Sequence, residues 1–348
     1  MTLVGREVMA MVDPAGDGPA GGTEPAARPA VPGAGTIVLL ALVWLTVAAG
    51  GARLQLEGAF DGSALSLARP LVELPRVVTA CLVAGTAVAL SVRELLTRRA
   101  GGGGTVPRRA AARLGAAVAA GLAPGVGVAV PALLAYPDLP HIRPLAGAVA
   151  GAALLGGLVA ALPARAAVAA GVLGALGAFV VASVVGRFES DLRPLFGAGD
   201  TPRAVLTASG RVVLASALVG GLVAGAAGYA YLRRAGRGAG WPAYLAAGAL
   251  PGVLALLGEA VARVGAAALV RVIGEASPAD RTVWDYLAAV RVNHGMVVLF
   301  TGALVAILLL GHLRPRGGGA GGPADGPGAD GAAADVTSGD PGPAQDRS

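Results

Sequence analysis

Long apolar runs separated by short polar segments dominate the chain between residues 35 and 313. Within a run the hydrophobic residues follow one another instead of alternating with polar ones. Most runs reach roughly the 20 residues that a helix needs to cross the hydrocarbon of a bilayer. The pattern predicts an all-α fold, a polytopic transmembrane helix bundle. Eight spans are predicted, at residues 35–50, 76–97, 113–136, 144–162, 166–186, 211–232, 242–265 and 292–313.

The first predicted span has an alternative interpretation. Residues 39–49, followed by Gly50-Gly51-Ala52, also fit the apolar core and small-residue cleavage site of a secretory signal peptide. The residues just before this run lack a cluster of positive charges, which a signal peptide would need. An internal repeat also pairs this span with the fifth one, so we expect it to be retained.

The internal repeat is visible as motifs that recur at a nearly constant spacing. The matching motifs are Arg76-Val77-Val78 with Arg211-Val212-Val213, Arg98-Arg99 with Arg233-Arg234, and residues 119–126 with residues 246–253. The first two pairs share one offset, 135 residues (76 to 211 and 98 to 233). We interpret them as a tandem duplication that gives two parallel four-helix units, residues 35–162 and 163–314. Many transporters are built from such repeats.

The two ends of the chain, residues 1–34 and 315–348, are rich in Gly, Pro and Ala and have no apolar periodicity. Segments of this kind cannot bury enough apolar surface to fold, so we predict two disordered tails. Aspartates are spaced through the second tail, which predicts a solvated acidic segment. An interaction tail is the alternative.

Composition narrows the class of protein further. Charged residues make up only 14% of the chain, against about 25% in soluble domains. Every basic residue is Arg and none is Lys, a composition typical of GC-rich bacterial genomes. Without Lys the chain can form neither a Walker-type phosphate loop nor a lysine Schiff base. The single cysteine, Cys81, excludes an intrachain disulfide and a cysteine metal site.

The remaining candidate chemistry does not indicate an enzyme. The three histidines, His141, His294 and His312, lack metal-binding spacing, and no GxSxG motif is present. We therefore predict no catalytic residue, no cofactor and no metal site. The arginines are scattered among loops between apolar runs, so we predict no nucleic-acid partner. The predicted partners are the lipid bilayer and a small-molecule solute, and the sequence identifies no protein partner.

Arginines are concentrated in the loops after the second, fourth, sixth and eighth predicted spans. They are Arg93, Arg98, Arg99, Arg108, Arg109, Arg113, Arg165, Arg233, Arg234, Arg237, Arg314 and Arg316. Cytoplasmic loops carry the excess of basic residues in membrane proteins. The pattern predicts a multi-pass protein of the bacterial plasma membrane with both termini in the cytoplasm. The bias is modest, because Arg187, Arg193 and Arg203 fall on the opposite face.

Two prolines occupy matching positions in the third and seventh spans, Pro124 and Pro251. A proline inside a helix removes one backbone hydrogen bond, and in a membrane the freed carbonyl needs protein or water as a partner. Matching breaks in two halves mark the central site of many transporters. We therefore predict helix breaks and a cavity near both prolines. The alternative is a pair of packing kinks inherited from one ancestral unit.

Glycine pairs at a spacing of four residues accompany these prolines. The pairs are Gly121/Gly125, Gly147/Gly151, Gly221/Gly225 and Gly248/Gly252. Small residues at this spacing let helix backbones approach closely, so we predict tight helix packing at all four pairs. Gly121, Gly125, Gly248 and Gly252 are also candidate residues of the cavity, because they flank Pro124 and Pro251.

Two charges lie within the seventh span. Glu259 and Arg263 are four residues apart, so they share a helical face and can pair. An unpaired charge at the bilayer centre costs about 2.5–3.5 kcal/mol. At about 1.5 Å per residue, Glu259 lies about 27 Å from Trp241, near the outer headgroups. We predict that Glu259, Arg263 and His294 line the outer mouth of the cavity. Snorkelling to the interface is the alternative.

The segment before the eighth span predicts a helix start. Ser277-Pro278-Ala279-Asp280 combines an N-cap serine, a proline at the first helical position and an acid in the first turn. Trp284 and Tyr286 follow, and both suit the membrane–water boundary. We predict an amphipathic collar that leads into the eighth span.

Residues 74–85 resemble the opening block of the permeases that import iron-siderophore and vitamin B12 complexes. The resemblance rests on Leu74-Pro75-Arg76-Val77-Val78 and Ala84-Gly85. The polar block and span count of that family are absent, and no site residue is carried over from it.

The sequence predicts a permease or transporter-like protein, with a non-transporting scaffold or regulator of cell-envelope partners as the alternative. A polar cavity between the halves favours the first, and a dry seam favours the second.

Overall fold

The computed structural model describes residues 33–57, 64–99, 107–137, 142–236 and 239–312. The regular elements in these ranges are helices, and they contain no strand. Both predicted tails lie outside the described residues, except for Gly33 and Ala34. His141 also falls outside them.

Ten α-helices follow one another in the described ranges, with a short 3-10 helix, Arg193–Phe196, after the seventh. They are α1 (Ala34–Glu57), α2 (Ala64–Arg99), α3 (Pro107–Gly121), α4 (Ala123–Ala135), α5 (Ile142–Ala160), α6 (Arg165–Arg187), α7 (Glu189–Leu192), α8 (Pro202–Arg234), α9 (Trp241–Ala276) and α10 (Pro278–His312). Eight segments among them are long and apolar enough to cross a membrane, with α3 and α4 sharing one. The predicted all-α fold with eight candidate spans is confirmed, and it indicates a multi-pass membrane protein.

Several helices are longer than the apolar runs that predicted them. α2 begins at Ala64, 12 residues before the predicted span, and α8 begins at Pro202. The start of α8 is fixed by Thr201, whose hydroxyl accepts a hydrogen bond from the Ala204 N–H at 3.2 Å. A hydropathy pattern marks the part of a helix that suits lipid, whereas helical hydrogen bonding continues until a cap or a breaker ends it.

The predicted collar and the eighth span form one continuous helix. α10 begins at Pro278, as the sequence predicted, and runs without interruption to His312. α9 extends to Ala276, so Ser277 alone separates the two helices. The two helices pack extensively on each other, which gives a long helical hairpin.

α2 lies at the centre of the described bundle. Residues 77–87 of α2 are buried on every side. α2 packs on α1 and α5, and α4 also packs on α5. In the second half, α8 packs on α6 and α10, and α9 packs on α10. The first half, α1 to α5, meets the second half where α9 packs on α2 and α5 and where α6 contacts α1 and α2.

We call the two ends of the bundle the Arg165 end and the Arg187 end, after the first and last residues of α6. The Arg165 end also contains the start of α1 and the ends of α2 and α8, because Gly33, Arg98 and Ala235 line one cavity with Arg165. At the Arg187 end, the Arg76 guanidinium on α2 donates to the Ser183 hydroxyl on α6 at 3.4 Å. α1 and α6 therefore run in the same direction, and α2 runs opposite to both.

Three of the four predicted glycine pairs lie at close helix contacts. A methyl group added at Gly121 would lie 2.8 Å from the Cα of Gly157 on α5, and one at Gly225 would lie 2.6 Å from the carbonyl oxygen of Gly302 on α10. Gly248/Gly252 also pack on α10. The prediction is wrong for Gly147/Gly151, where an added methyl group would meet nothing within 4 Å. That pair lies on an open face of α5.

Candidate functional site

The strongest candidate site is a cavity of about 520 Å³ at the Arg165 end, which we call the vestibule. It lies between α1, α2, α6 and α8, so two helices from each half form its walls. Its size falls within the range of small-molecule pockets, which is about 300–1,000 Å³.

Polar groups line the mouth of the vestibule. α2 contributes Ser91, Glu94, Thr97 and Arg98, and Arg165 lies at the first position of α6. Glu94 and Arg98 form an exposed ion pair one helical turn apart. Arg165 is exposed, and none of the described residues pairs with it. The lining therefore carries two arginines against one carboxylate, which leaves one net positive charge.

A fifth helix end, that of α5, is tied to this mouth by Arg93. Its guanidinium donates to the carbonyl oxygens of Ala160 at 2.7 Å and Leu162 at 3.0 Å. These carbonyls lie at the end of α5 and just beyond it, where helical partners are missing. Arg93 thus satisfies them and fixes the end of α5 against α2.

The vestibule becomes apolar with depth and ends in a packed seam. Ile37, Ala87, Leu90 and Ala169 form its deeper walls. Further toward the Arg187 end the ring of Trp44 on α1 stacks on Phe179 of α6. The ring centroids are 5.0 Å apart and the planes are inclined by 4°. This aromatic stack, together with the buried residues of α2, closes the space between the halves.

The Trp44 ring has a cationic neighbour and a buried N–H group. The Arg76 guanidinium lies 5.2 Å from the centroid of the Trp44 ring, in a cation–π arrangement. The indole N–H of Trp44 is buried and has no hydrogen-bond partner among the described residues. Buried N–H groups are rarely left unpaired in folded proteins. Sequence reasoning did not identify Trp44 or Phe179, because neither belongs to a motif.

Neither of the two described cavities contains the prolines that predicted one. Neither Pro124 nor Pro251 lines the vestibule, and both are buried. A methyl group added at Gly174 on α6 would lie 3.1 Å from the Cγ of Pro251, so this proline packs against α6. Gly121, Gly125, Gly248 and Gly252 pack on neighbouring helices. The close backbone approach that these glycines permit fills the space where a cavity was predicted.

The two prolines also differ in their effect on the backbone. The third span is interrupted at Leu122, between α3 and α4, where Pro124 is near the first position of the new helix. α9 continues through Pro251 without a break. The interruption is thus confined to the first half, and the expected pair of matching breaks is not present. Packing against α6 and α10 holds α9 helical around Pro251.

A buried ion cluster joins α9 to α10. The Glu259 carboxylate is only 3% exposed and accepts from Arg263 Nε at 2.9 Å and from Arg291 Nε at 2.7 Å. The Arg291 guanidinium also lies 5.0 Å from the Trp284 ring centroid. The predicted Glu259–Arg263 pairing is present. Arg291 was missed because it comes from another helix, although its place at the edge of the eighth span was a usable signal.

This cluster does not line the vestibule. His294, predicted beside Glu259 and Arg263, lies next to the backbone of Val213 on α8. The structure thus brings Glu259 and Arg263 together with Arg291, and directs His294 to a different helix. Two cations around one carboxylate neutralise a charge that would be costly within a bilayer.

A second cavity, of about 270 Å³, lies at the other end of the bundle between α1, α2, α4, α5 and α9. We call it the lateral pocket. It reaches Pro131 on α4 but not Pro124. Its walls are mostly apolar, in contrast to the mouth of the vestibule. In the described part of the chain, no group of three or more His, Cys, Asp or Glu side chains is placed to hold a metal ion.

Comparisons with known proteins do not assign the chain to a family. No protein-family model matches the chain, and no curated protein or solved structure matches it significantly.

Proposed function

We propose that the protein is a permease-like transporter of a small polar solute in the bacterial plasma membrane. The observation that carries the proposal is the vestibule between the halves, which has a polar mouth and a closed, apolar inner end. A cavity open to one side and sealed toward the other corresponds to one state of alternating access. The arginines at the Arg165 end favour the cytoplasm as that side, with both chain termini there as well.

Under the proposed four-plus-four repeat, this cavity lies between equivalent helices of the two units. If the halves are duplicated units, α1 is equivalent to α6 and α2 to α8, and these are the four helices around the vestibule. The packing order supports the equivalence, because α2 packs on α1 and α5 as α8 packs on α6 and α10. The vestibule then lies on the axis that relates the two halves, and rocking about it would open the seam at Trp44 and Phe179.

The charges at the mouth favour an anionic or zwitterionic solute. Arg165, Arg98 and Glu94 line this mouth, and Arg93, one residue before Glu94, holds the end of α5 beside it. A cleft lined by an excess of one sign raises the local concentration of solutes of the opposite sign. A free arginine at the mouth could form charge-assisted hydrogen bonds to a carboxylate or phosphate group.

The alternative is a scaffold or regulator of envelope partners that moves no solute. The observation that favours it is the tight seam away from the vestibule. Gly258 on α9 packs against Thr79 of α2, and Gly265 packs against Ala148 of α5. No cavity described here reaches Pro124. A protein with a static seam has no requirement for the halves to move.

Transport currents from proteoliposomes on a solid-supported membrane distinguish the two functions. The probes are small carboxylates, amino acids and inorganic phosphate, applied in turn. We expect a current with at least one probe, and we expect Ser91→Trp to abolish it by filling the vestibule. Ala226→Trp, at an exposed position on α8, is the matched control and should keep the current. A current unaffected by Ser91→Trp, or no current with any probe, would favour the scaffold.

A further inference from the structure

The lateral pocket has the shape and chemistry of a binding site for a lipid tail. Its walls include Ala49 from α1, Val77 from α2, Ala132 from α4 and Leu145 from α5, and Leu269 from α9 lies at one side. Apolar surface of this kind gains nothing from contact with water. Hydrocarbon is therefore the expected content of the pocket.

Polar groups are placed at one end of this pocket. Arg53 lies in the last two turns of α1, Tyr136 immediately follows α4, and Ile142 begins α5. These helix ends meet at the Arg187 end of the bundle. Arg53 is the charged residue among those that line the pocket. The pocket is thus amphipathic, with a cation at the level where the helices end and apolar walls below.

The surroundings of the pocket face lipid. Leu54, next to Arg53, is 72% exposed, and Leu134, next to Ala135, is 77% exposed. Both leucines lie in candidate membrane spans, where an exposed apolar side chain suits hydrocarbon. α1 packs on α2 and α4 packs on α5, but α1 and α4 do not pack extensively on each other. Both helices line the pocket, so the space between them is where a chain from the bilayer would enter.

We propose that the lateral pocket binds one acyl chain of a phospholipid from the leaflet at the Arg187 end, with Arg53 at its phosphate. Charge complementarity selects a phospholipid over a neutral lipid, because the Arg53 guanidinium carries five N–H donors and can bind a phosphate while it keeps an interaction within the protein. The proposal does not depend on transport, since the pocket and the vestibule share no lining residue.

Photo-cross-linking in nanodiscs tests the proposal on the full chain. The probe is phosphatidylglycerol with a diazirine on one acyl chain, and cross-linked peptides are mapped by mass spectrometry. We expect the main cross-links within α4 and α5, at residues that line the pocket. Arg53→Gln should lower this cross-linking about tenfold, since it removes a charge-assisted hydrogen bond. Arg271→Gln, at an exposed arginine of α9, is the control and should have no effect.

Two further variants keep the test decisive if folding is affected. Ala135→Trp should fill the pocket and abolish the α4 and α5 cross-links, whereas Ala226→Trp should not. Folding is followed through Cys81, which is fully buried and should stay unreactive toward a maleimide in every folded variant. Cross-links spread evenly over the exposed surface, or unchanged by Ala135→Trp in a folded protein, would overturn the proposal. Diacylglycerol captured as well as the phospholipid would overturn the role of Arg53.

Discussion

At the scale of single residues, the buried carboxylate of Glu259 requires positively charged neighbours. A carboxylate that is 3% exposed on a membrane-spanning helix needs a counter-charge within hydrogen-bonding distance. Helical periodicity alone places Arg263 beside it, and the structure adds Arg291 from α10. Of the two arginines, Arg291 is the more buried, with its side chain 24% exposed against 46% for Arg263. The contact between helices is therefore the stronger part of the cluster.

Replacing Glu259 by Gln should lower the stability of the purified protein by about 1–3 kcal/mol, because Arg291 and Arg263 would face each other without a counter-charge. The rate at which Cys81 reacts with a thiol dye during heating measures this change. Asp285→Asn, which breaks the exposed Arg281–Asp285 pair, serves as control and should stay within about 0.5 kcal/mol of the parent. Equal losses in both variants would mean that the buried cluster has no special role.

At the scale of helices, hydropathy located all eight candidate spans but not their ends. Lipid solubility is a local property of the sequence, so an apolar run identifies a span reliably. The ends of α2 and α8 depend instead on capping and on amphipathic turns outside the apolar run. The behaviour of Pro251 was not predictable either. Whether a proline breaks a helix depends on neighbours such as α6 and α10, which the sequence does not display.

Replacing a paired glycine by alanine should change the stability of the protein in opposite directions at two sites. Gly121→Ala should lower stability by about 1–3 kcal/mol, because its methyl group would lie 2.8 Å from the Cα of Gly157. Gly147→Ala should raise stability by about 0.5–1 kcal/mol, since the site is open and alanine restricts the unfolded chain. Thermal unfolding monitored at Cys81 reports both. A loss at Gly147 as large as that at Gly121 would contradict the assigned packing.

At the scale of the whole molecule, the position of the cavity follows from assembly and not from motifs. The sequence identified residues that favour close packing, Gly121 and Gly248 among them, and placed a cavity beside them. The structure shows that such residues remove space, whereas the vestibule forms where the helix ends of α1, α2, α6 and α8 diverge. Its polar residues, such as Ser91 and Thr97, belong to the end of an ordinary-looking apolar span. Only the arrangement of four separate helices gives them a common function.

The orientation of the molecule provides a final test, which applies to the repeat and the vestibule together. Cysteines introduced at Thr97 and Ala235 line the vestibule, and equivalent ends of two parallel halves must lie on the same side of the membrane. An impermeant maleimide should label both in inverted vesicles and neither in intact cells. Val283→Cys, exposed on α10, should show the reverse, and Cys81 should react in neither. Labelling of Thr97→Cys and Ala235→Cys from opposite sides would contradict both the parallel repeat and a vestibule shared by the two halves.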